Sequence, residues 1–257
     1  MHRLIAESPW PDWARPLEVG YGRVARESSH VRLIRPAARA TAYCNAQLGG
    51  QDGAPRWGPP IELIVRARFS HPVEQIRGTA GFGFWNGALS PGSWQIRPPQ
   101  AIWFFLGSPP YNVPLTLEGR GHGFKAMVLD AWRFPFFALL PAAPLGFLAM
   151  RVRFLYRLLW PLAQRAIRAR EASLDSLDLT VFHTFHLRWE RREARFSVDG
   201  RTVLVAPAVP GRPLPFVAWL DNSYAVATPQ GNFRFGYVDA PPQWMDLEEI
   251  VLRPLSP

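Results

Sequence analysis

The side chains able to do chemistry are few and widely spaced. Asp130 closes an apolar run and is followed by Trp132 and Phe134. A carboxyl buried among such rings would keep its proton to higher pH and could deliver it to an apolar substrate. The competing reading of Asp130 is structural, as a helix cap or a partner of Arg133. Asp221 carries the same ambiguity, because Asp221-Asn-Ser223 is also turn chemistry. His183 and His186 are three apart, which on a strand sends them to opposite faces and denies them a shared metal. Cys44 permits no internal disulfide and reads as a packing residue. No G-x-S-x-G, phosphate-binding loop or dinucleotide fingerprint occurs, so neither a metal nor an organic cofactor is expected.

These residues need elements to hold them, and most of the chain reads as strand. In residues 61–69, Ile61, Leu63, Val65, Ala67 and Phe69 alternate with mostly charged neighbours, the period of a half-buried strand. Residues 181–190 put His183, Phe185, Leu187 and Trp189 on one face. Asp199-Gly200, between 195–198 and 202–205, is a two-residue hairpin turn. Further strands are expected at 31–35, 41–47, 79–85, 101–106, 124–129, 216–220, 233–238 and 247–253. Short strands punctuated by 20 glycines and 27 prolines indicate an all-β antiparallel sandwich. We expect a single domain over residues 1–257.

Several stretches carry a further signal. Gly78-Thr-Ala-Gly-Phe-Gly-Phe-Trp-Asn86 is followed by Pro98-Pro-Gln-Ala-Ile-Trp-Phe-Phe-Leu-Gly-Ser-Pro-Pro110. Then come His183-Thr-Phe-His-Leu-Arg-Trp-Glu190, Arg195-Phe-Ser-Val-Asp-Gly-Arg201 and a closing Trp244-Met-Asp-Leu-Glu-Glu-Ile-Val-Leu252. In this order they resemble the concanavalin A-like jelly rolls, most nearly the family-16 glycoside hydrolases. The resemblance covers about residues 40–125 and 179–253, and it implies a jelly-roll sandwich with a cleft on its concave face. In that family a strand reading E-[IL]-D-x-x-E supplies nucleophile and acid/base, about 5 Å apart. The corresponding positions here are Gln100, Ile102 and Phe105, within one residue of register, and no Asp or Glu occurs between Glu74 and Glu118. Retaining hydrolysis by that mechanism is not expected.

Alternation along 41–47 places Tyr43, Asn45 and Gln47 toward the cleft and Ala42, Cys44 and Ala46 toward the inter-sheet core. The resemblance puts Trp85 and Asn86 in the cleft, and Gln100, Ile102 and Phe105 in place of its acids. Trp94, Trp132, Trp219, Asp221 and Tyr224 are expected at its edge. Aromatic faces stack on sugars but also surround lipids and isoprenoids. Exchanging acids for Ile102 and Phe105 makes a drier cleft. The expected partner is therefore a small amphiphilic or apolar ligand: a lipid, an isoprenoid or a glycolipid. The alternative is a carbohydrate-binding module or an atypical glycoside hydrolase, and an interaction domain without a small ligand stays open.

Residues 126–171 fall outside the resemblance and are expected to form a helical insertion. The uncharged run 134–150 is short for a membrane span and contains Pro135, Pro141 and Pro144. Residues 151–170 place Val152, Leu155, Leu159, Leu162 and Ala166 at helical spacing, with Arg153, Arg157, Gln164 and Arg168 opposite and a kink expected at Pro161. A basic amphipathic helix after a Phe/Leu-rich segment is the pattern of an interfacial anchor. Phe136, Phe137, Arg153, Arg157 and Arg168 would then face the membrane. A lid or layer folded onto the sandwich is the other reading.

Composition sets the outer bounds. With 48% hydrophobic and 13% aromatic residues the chain is not disordered, and 257 residues can bury a large core. A net charge of +9 asks for an anionic partner. Lys125 is the one lysine among 29 basic residues. Without zinc-finger spacing, helix-turn-helix or RNP-like strand, nucleic acid is not expected, which leaves an anionic membrane surface. The first ten residues lack the apolar run of a signal peptide, so the expected location is the cytoplasm, peripherally at a membrane.

Overall fold

The computed structural model describes residues 13–50, 53–88, 97–117, 119–207 and 209–255. Trp94 and the first ten residues lie outside them. The alternating runs become two facing antiparallel sheets. The eight-stranded sheet has the order β1 (Pro16–Val19), β4 (Asn45–Gly49), β14 (Leu214–Asp221), β7 (Thr79–Trp85), β8 (Gln100–Gly107), β9 (Gly123–Asp130) and β10 (Arg170–Ser173), with β5 (Arg56–Trp57) paired to the start of β14. The seven-stranded sheet has the order β13 (Arg201–Pro207), β12 (Glu193–Val198), β11 (His183–Trp189), β6 (Ile61–Phe69), β17 (Gln243–Pro254), β3 (Val31–Arg35) and β2 (Arg23–Arg26). A separate hairpin joins β15 (Ser223–Ala227) to β16 (Phe233–Tyr237). Late strands β14 and β17 are inserted between early ones, the long crossovers of a jelly roll.

Alternation decides which side chains meet between the sheets. Phe82 and Phe84 of β7, Phe104 of β8 and Phe124 of β9 face Phe185 and Trp189 of β11 and Phe196 of β12. Phe104 lies 5.0 Å from Phe185 and 5.3 Å from Phe196, ring centre to ring centre. Burying such rings is the main favourable contribution to this fold, at about 1.5–3 kcal/mol per large side chain. As expected, β11 pairs with β12, and β12 turns into β13 through Asp199 and Gly200 at φ 49° and 77°, the left-handed pair that a tight hairpin requires.

Two expected elements differ. The strand expected over 41–47 begins only at Asn45, because Asn222 holds the preceding chain in a loop. Its side-chain amide donates to the Arg39, Ala42 and Val238 carbonyls, and its oxygen accepts from Cys44 N at 2.9 Å. The segment 126–171 is strand at both ends, where β9 reaches Asp130 and β10 starts at Arg170. Between them lie α1 (Phe134–Leu139), α2 (Ala143–Ala149) and α3 (Arg153–Ala166). Pro135 and Pro144 sit in the first turns of α1 and α2, where a missing N–H costs nothing, so they start helices. α3 is assigned as one helix through Pro161. Its faces also differ from the expected ones: Gln164 is buried, donating to the Leu115 carbonyl, while Val152 and Leu162 are exposed.

Candidate functional site

The opposite parity of the same strands builds the outer face of the eight-stranded sheet. On β7 this parity gives Thr79, Gly81, Gly83 and Trp85. The glycines leave a floor over which neighbouring rings lie. A Cβ at Gly81 would come within 3.0 Å of the Trp219 ring, and one at Gly83 within 2.5 Å of the Trp103 Cβ. Trp219 of β14 and Trp103 of β8 are thereby brought to 4.9 Å, and Trp103 lies 5.2 Å from Trp85. Phe105 continues the row, stacked on Trp103 at 5.2 Å and beside Tyr111 at 5.0 Å. Trp103 and Trp219 are only 7% and 5% exposed, and Trp85 is half-buried, so of the three indoles Trp85 is the one open to a ligand. Trp219 donates its indole N–H to Thr79 Oγ1 at 2.9 Å, whereas the Trp103 indole N–H is buried with no partner.

A polar cluster closes one end of the ring array. Asp221, the last residue of β14, accepts from Thr79 N and Oγ1 (3.2 and 2.8 Å), Ser223 N and Oγ (2.9 Å each) and the Tyr43 hydroxyl (3.1 Å). Burial holds its carboxyl above the usual range, against the opposing pull of those bonds. Burial, with the neighbouring Asp221, also pushes the Tyr43 hydroxyl well up, so it remains a donor. Beside Asp221, Asn45 donates to Gln47 Oε1 at 3.2 Å, and its own buried oxygen has no partner.

The strap that follows β8 is held by a buried ion pair. Lys125 of β9 meets Glu171 of β10 at 2.8 Å, and Glu171 also accepts from Thr116 N and Oγ1 at 3.0 and 2.9 Å. Tyr111, Val113 and Leu115 of this connection pack on the aromatic cluster. Asn112 bonds to Ala225 and Ala227 of the β15–β16 hairpin. The two acids named on this face are thus fully engaged, Asp221 by five donors and Glu171 by Lys125 and Thr116. Neither is free to act as nucleophile or proton donor. Among the described residues, no three His, Cys, Asp or Glu side chains gather in a way that could hold a metal ion.

Several expected site residues lie elsewhere. Strand β8 pairs with β7 and β9 in unbroken register, so Ala101, Trp103 and Phe105 face outward. Ile102 has the other parity and is fully buried between the sheets, not in the cleft. Gln100 and Asp130 share that inner parity at the end of the sandwich, where Gln100 donates to Asp130 Oδ1 at 2.8 Å. Asp130 also accepts from Trp132 N at 3.3 Å and faces the Arg168 guanidinium at 3.4 Å. Its ion-pair partner is Arg168, not Arg133, and these contacts hold it at the end of the sandwich, away from the aromatic face. Asn86 is likewise structural, donating to the Pro98 carbonyl and accepting from Ala88 N and Gln100 N. Trp132 packs against Phe137 and under Arg212, with no ring contact to Trp85. Tyr43, Asn45, Gln47, Trp85, Phe105, Trp219 and Asp221 do surround one face, to which the structure adds Trp103, Tyr111 and Thr79.

No protein-family model and no curated protein sequence matches the chain. Solved structures do share its architecture. A Bacillus licheniformis β-glucanase aligns over 97% of each chain at 12% identity and a TM-score of 0.51. The exoplasmic/lumenal domain of VIP36, bound to Ca2+ and Man3GlcNAc, aligns over 98% of this chain and 89% of its own, at 12% identity and 0.51. A pseudo β-1,3-glucanase of Mycobacterium tuberculosis aligns over 91% and 79%, at 14% identity and 0.51. The molecule has the concanavalin A-like jelly-roll fold, shared by family-16 glucanases and legume-lectin-like domains. At these identities the likeness is one of fold.

Proposed function

We propose that the protein binds a carbohydrate across the outer face of the eight-stranded sheet and does not hydrolyse it through a pair of carboxylates. The observation that carries this reading is the half-buried Trp85, held rigid against the buried Trp103 and Trp219 over Gly81 and Gly83, because a flat, rigid ring stacks on the apolar face of a sugar. Structural neighbours that are named as glucanases, or that hold an oligomannose glycan, favour a sugar over the apolar ligand expected from a dry cleft. The two buried tryptophans and Phe105 pack on one another, so they present a surface instead of a chamber for a lipid tail.

The test is a glycan array followed by titration of tryptophan fluorescence with the best-bound glycan, laminarin and a high-mannose oligosaccharide being the first probes. Binding should fall at least tenfold in Trp85→Ala, with no reducing ends released by the parent protein. Absence of binding to every glycan on the array would sink the proposal. Release of reducing ends would refute its non-catalytic half.

A further inference from the structure

Residues 131–170 hold seven arginines and no acidic residue. Their helices also turn large apolar side chains to solvent. Phe134 at the start of α1 is 83% exposed, Leu145 of α2 and Phe154 of α3 are each 73% exposed, and Leu148 and Leu158 are more than half exposed. The β15–β16 hairpin extends this surface through Phe233, which is 54% exposed and packs against Phe147 of α2 at 5.3 Å. Isolated exposed leucines are ordinary, but a contiguous surface of this kind marks an interaction site.

Charge chooses the occupant. Arg153 and Arg157 are exposed on α3 beside Phe154 and Leu158, and the segment contains no carboxylate with which to pair. Arg151 donates to the Gln230 carbonyl, and Arg133 Nη1 to the Arg165 and Ala166 carbonyls. Between α1 and α3 runs a shallow groove of about 470 Å³ lined by Pro135, Ala138, Leu139 and Leu162, with Arg133 and Arg165 among its walls. A second copy of this chain would bring arginine against arginine. An anionic lipid surface answers both features at once.

We propose that this helical face docks on an anionic lipid surface. Its apolar side chains enter the boundary between headgroups and acyl chains, and its arginines meet the lipid phosphates. No helix among the described residues is long and apolar enough to cross a membrane, so the helices lie in the plane of the interface.

The experiment is sedimentation of the full chain with vesicles of phosphatidylcholine alone or mixed with phosphatidylserine, at low and at raised salt. Binding to the mixed vesicles that weakens with salt is expected. At roughly fivefold per arginine near the surface, reversing two charges in Arg153→Glu/Arg157→Glu should cost at least about 25-fold. Leu145→Asp/Phe154→Asp, at positions too exposed to unfold the sandwich, should also lower binding more than tenfold, with circular dichroism unchanged. Failure to bind mixed vesicles overturns the proposal. So does equal binding by the parent and both variants, or a dimer in ultracentrifugation that Phe154→Asp dissolves.

Discussion

On the outer side of the seven-stranded sheet, Asp246 gathers Arg32 at 2.6 Å and Arg68 at 3.0 Å, and Glu62 gathers His186 at 2.6 Å and Arg253. Arg32 and Arg68 lie over the Trp244 ring at 4.5 and 5.2 Å. On the outer side of the eight-stranded sheet, the middle positions hold Gly81, Gly83, Trp103, Phe105 and Trp219. The first face satisfies its polar groups within itself and meets water. The second stacks rings on a glycine floor, packs a strap against them and leaves Trp85 half-open. Both sheets bury the same kind of inner face, so fold stability alone does not require the difference. On the reading proposed above, the aromatic side is the one that meets a ligand, and each prediction below sets one side against the other.

The largest difference should come from the glycine floor. A Cβ on residue 83 would sit 2.5 Å from Trp103 Cβ and 2.6 Å from the Ile102 carbonyl oxygen, at a φ of 146° that side chains avoid. Gly83→Ala should therefore cost about 3–5 kcal/mol in denaturant unfolding. On the charged face, Arg188→Ala loses a half-exposed pair with Glu190 at 3.4 Å and should cost less than about 1 kcal/mol. Equal costs would show that the rings do not lie on β7 as described.

The strap gives the next effect. Lys125 and Glu171 have side chains only 5% and 4% exposed, and removing one partner leaves a buried charge alone. Glu171→Gln should cost roughly 3 kcal/mol, while Lys125→Met/Glu171→Leu should recover most of it. The matched change on the seven-stranded sheet is Glu193→Gln, which breaks a pair with Arg195 at 46% and 40% exposure and should cost less than about 1 kcal/mol. Thermal unfolding of the three variants against the parent decides between these outcomes.

How far the sequence could be read follows from the same contrast. Strands β3 and β6 were legible to the residue because one-sided burial leaves a period of two, β7 was legible from its Gly-Phe alternation, and the β12–β13 turn was announced by Asp199-Gly200. Strand β8 reads Gln-Ala-Ile-Trp-Phe-Phe-Leu-Gly, apolar on both faces, so periodicity could not say which residues point outward. Ile102 was named from the resemblance, and periodicity could not correct it to Trp103. The neighbouring Gly-Phe-Gly-Phe of β7 held the missing signal: phenylalanines belonging to the core put the glycines outward, and a glycine floor calls for large rings on the strands beside it. Gln100 was expected in the cleft from the resemblance and Asp130 from its place at the end of an apolar strand, and neither signal shows the pair with Arg168, which at φ 48° turns back from α3 toward Asp130. Such a long-range pair is invisible until the fold is built.

The smallest effect is in pH dependence, where the two faces should differ in sign. Burial raises the Asp221 carboxyl, so the folded protein holds that proton more tightly than the unfolded chain, and stability falls as pH rises from about 3.9 through the folded value. Glu62 is the reverse case. Its own burial pushes it up, but hydrogen bonds from Arg253 and His186 bring it below the usual range. Its contribution is therefore present above the ordinary glutamate value and is lost as pH falls through the folded one. Unfolding free energies across the acid range should show Asp221→Asn losing the decline on the rising side. Glu62→Gln should lose the drop on the acid side. Asp221→Asn also sets an amide N–H₂ against the donors of Thr79, Ser223 and Tyr43, which lowers stability at every pH, so the slope is the quantity to compare. Parallel curves for Asp221→Asn and the parent would mean that Asp221 is no more buried or bonded than an ordinary surface acid, and the polar end of the aromatic face would have to be redrawn.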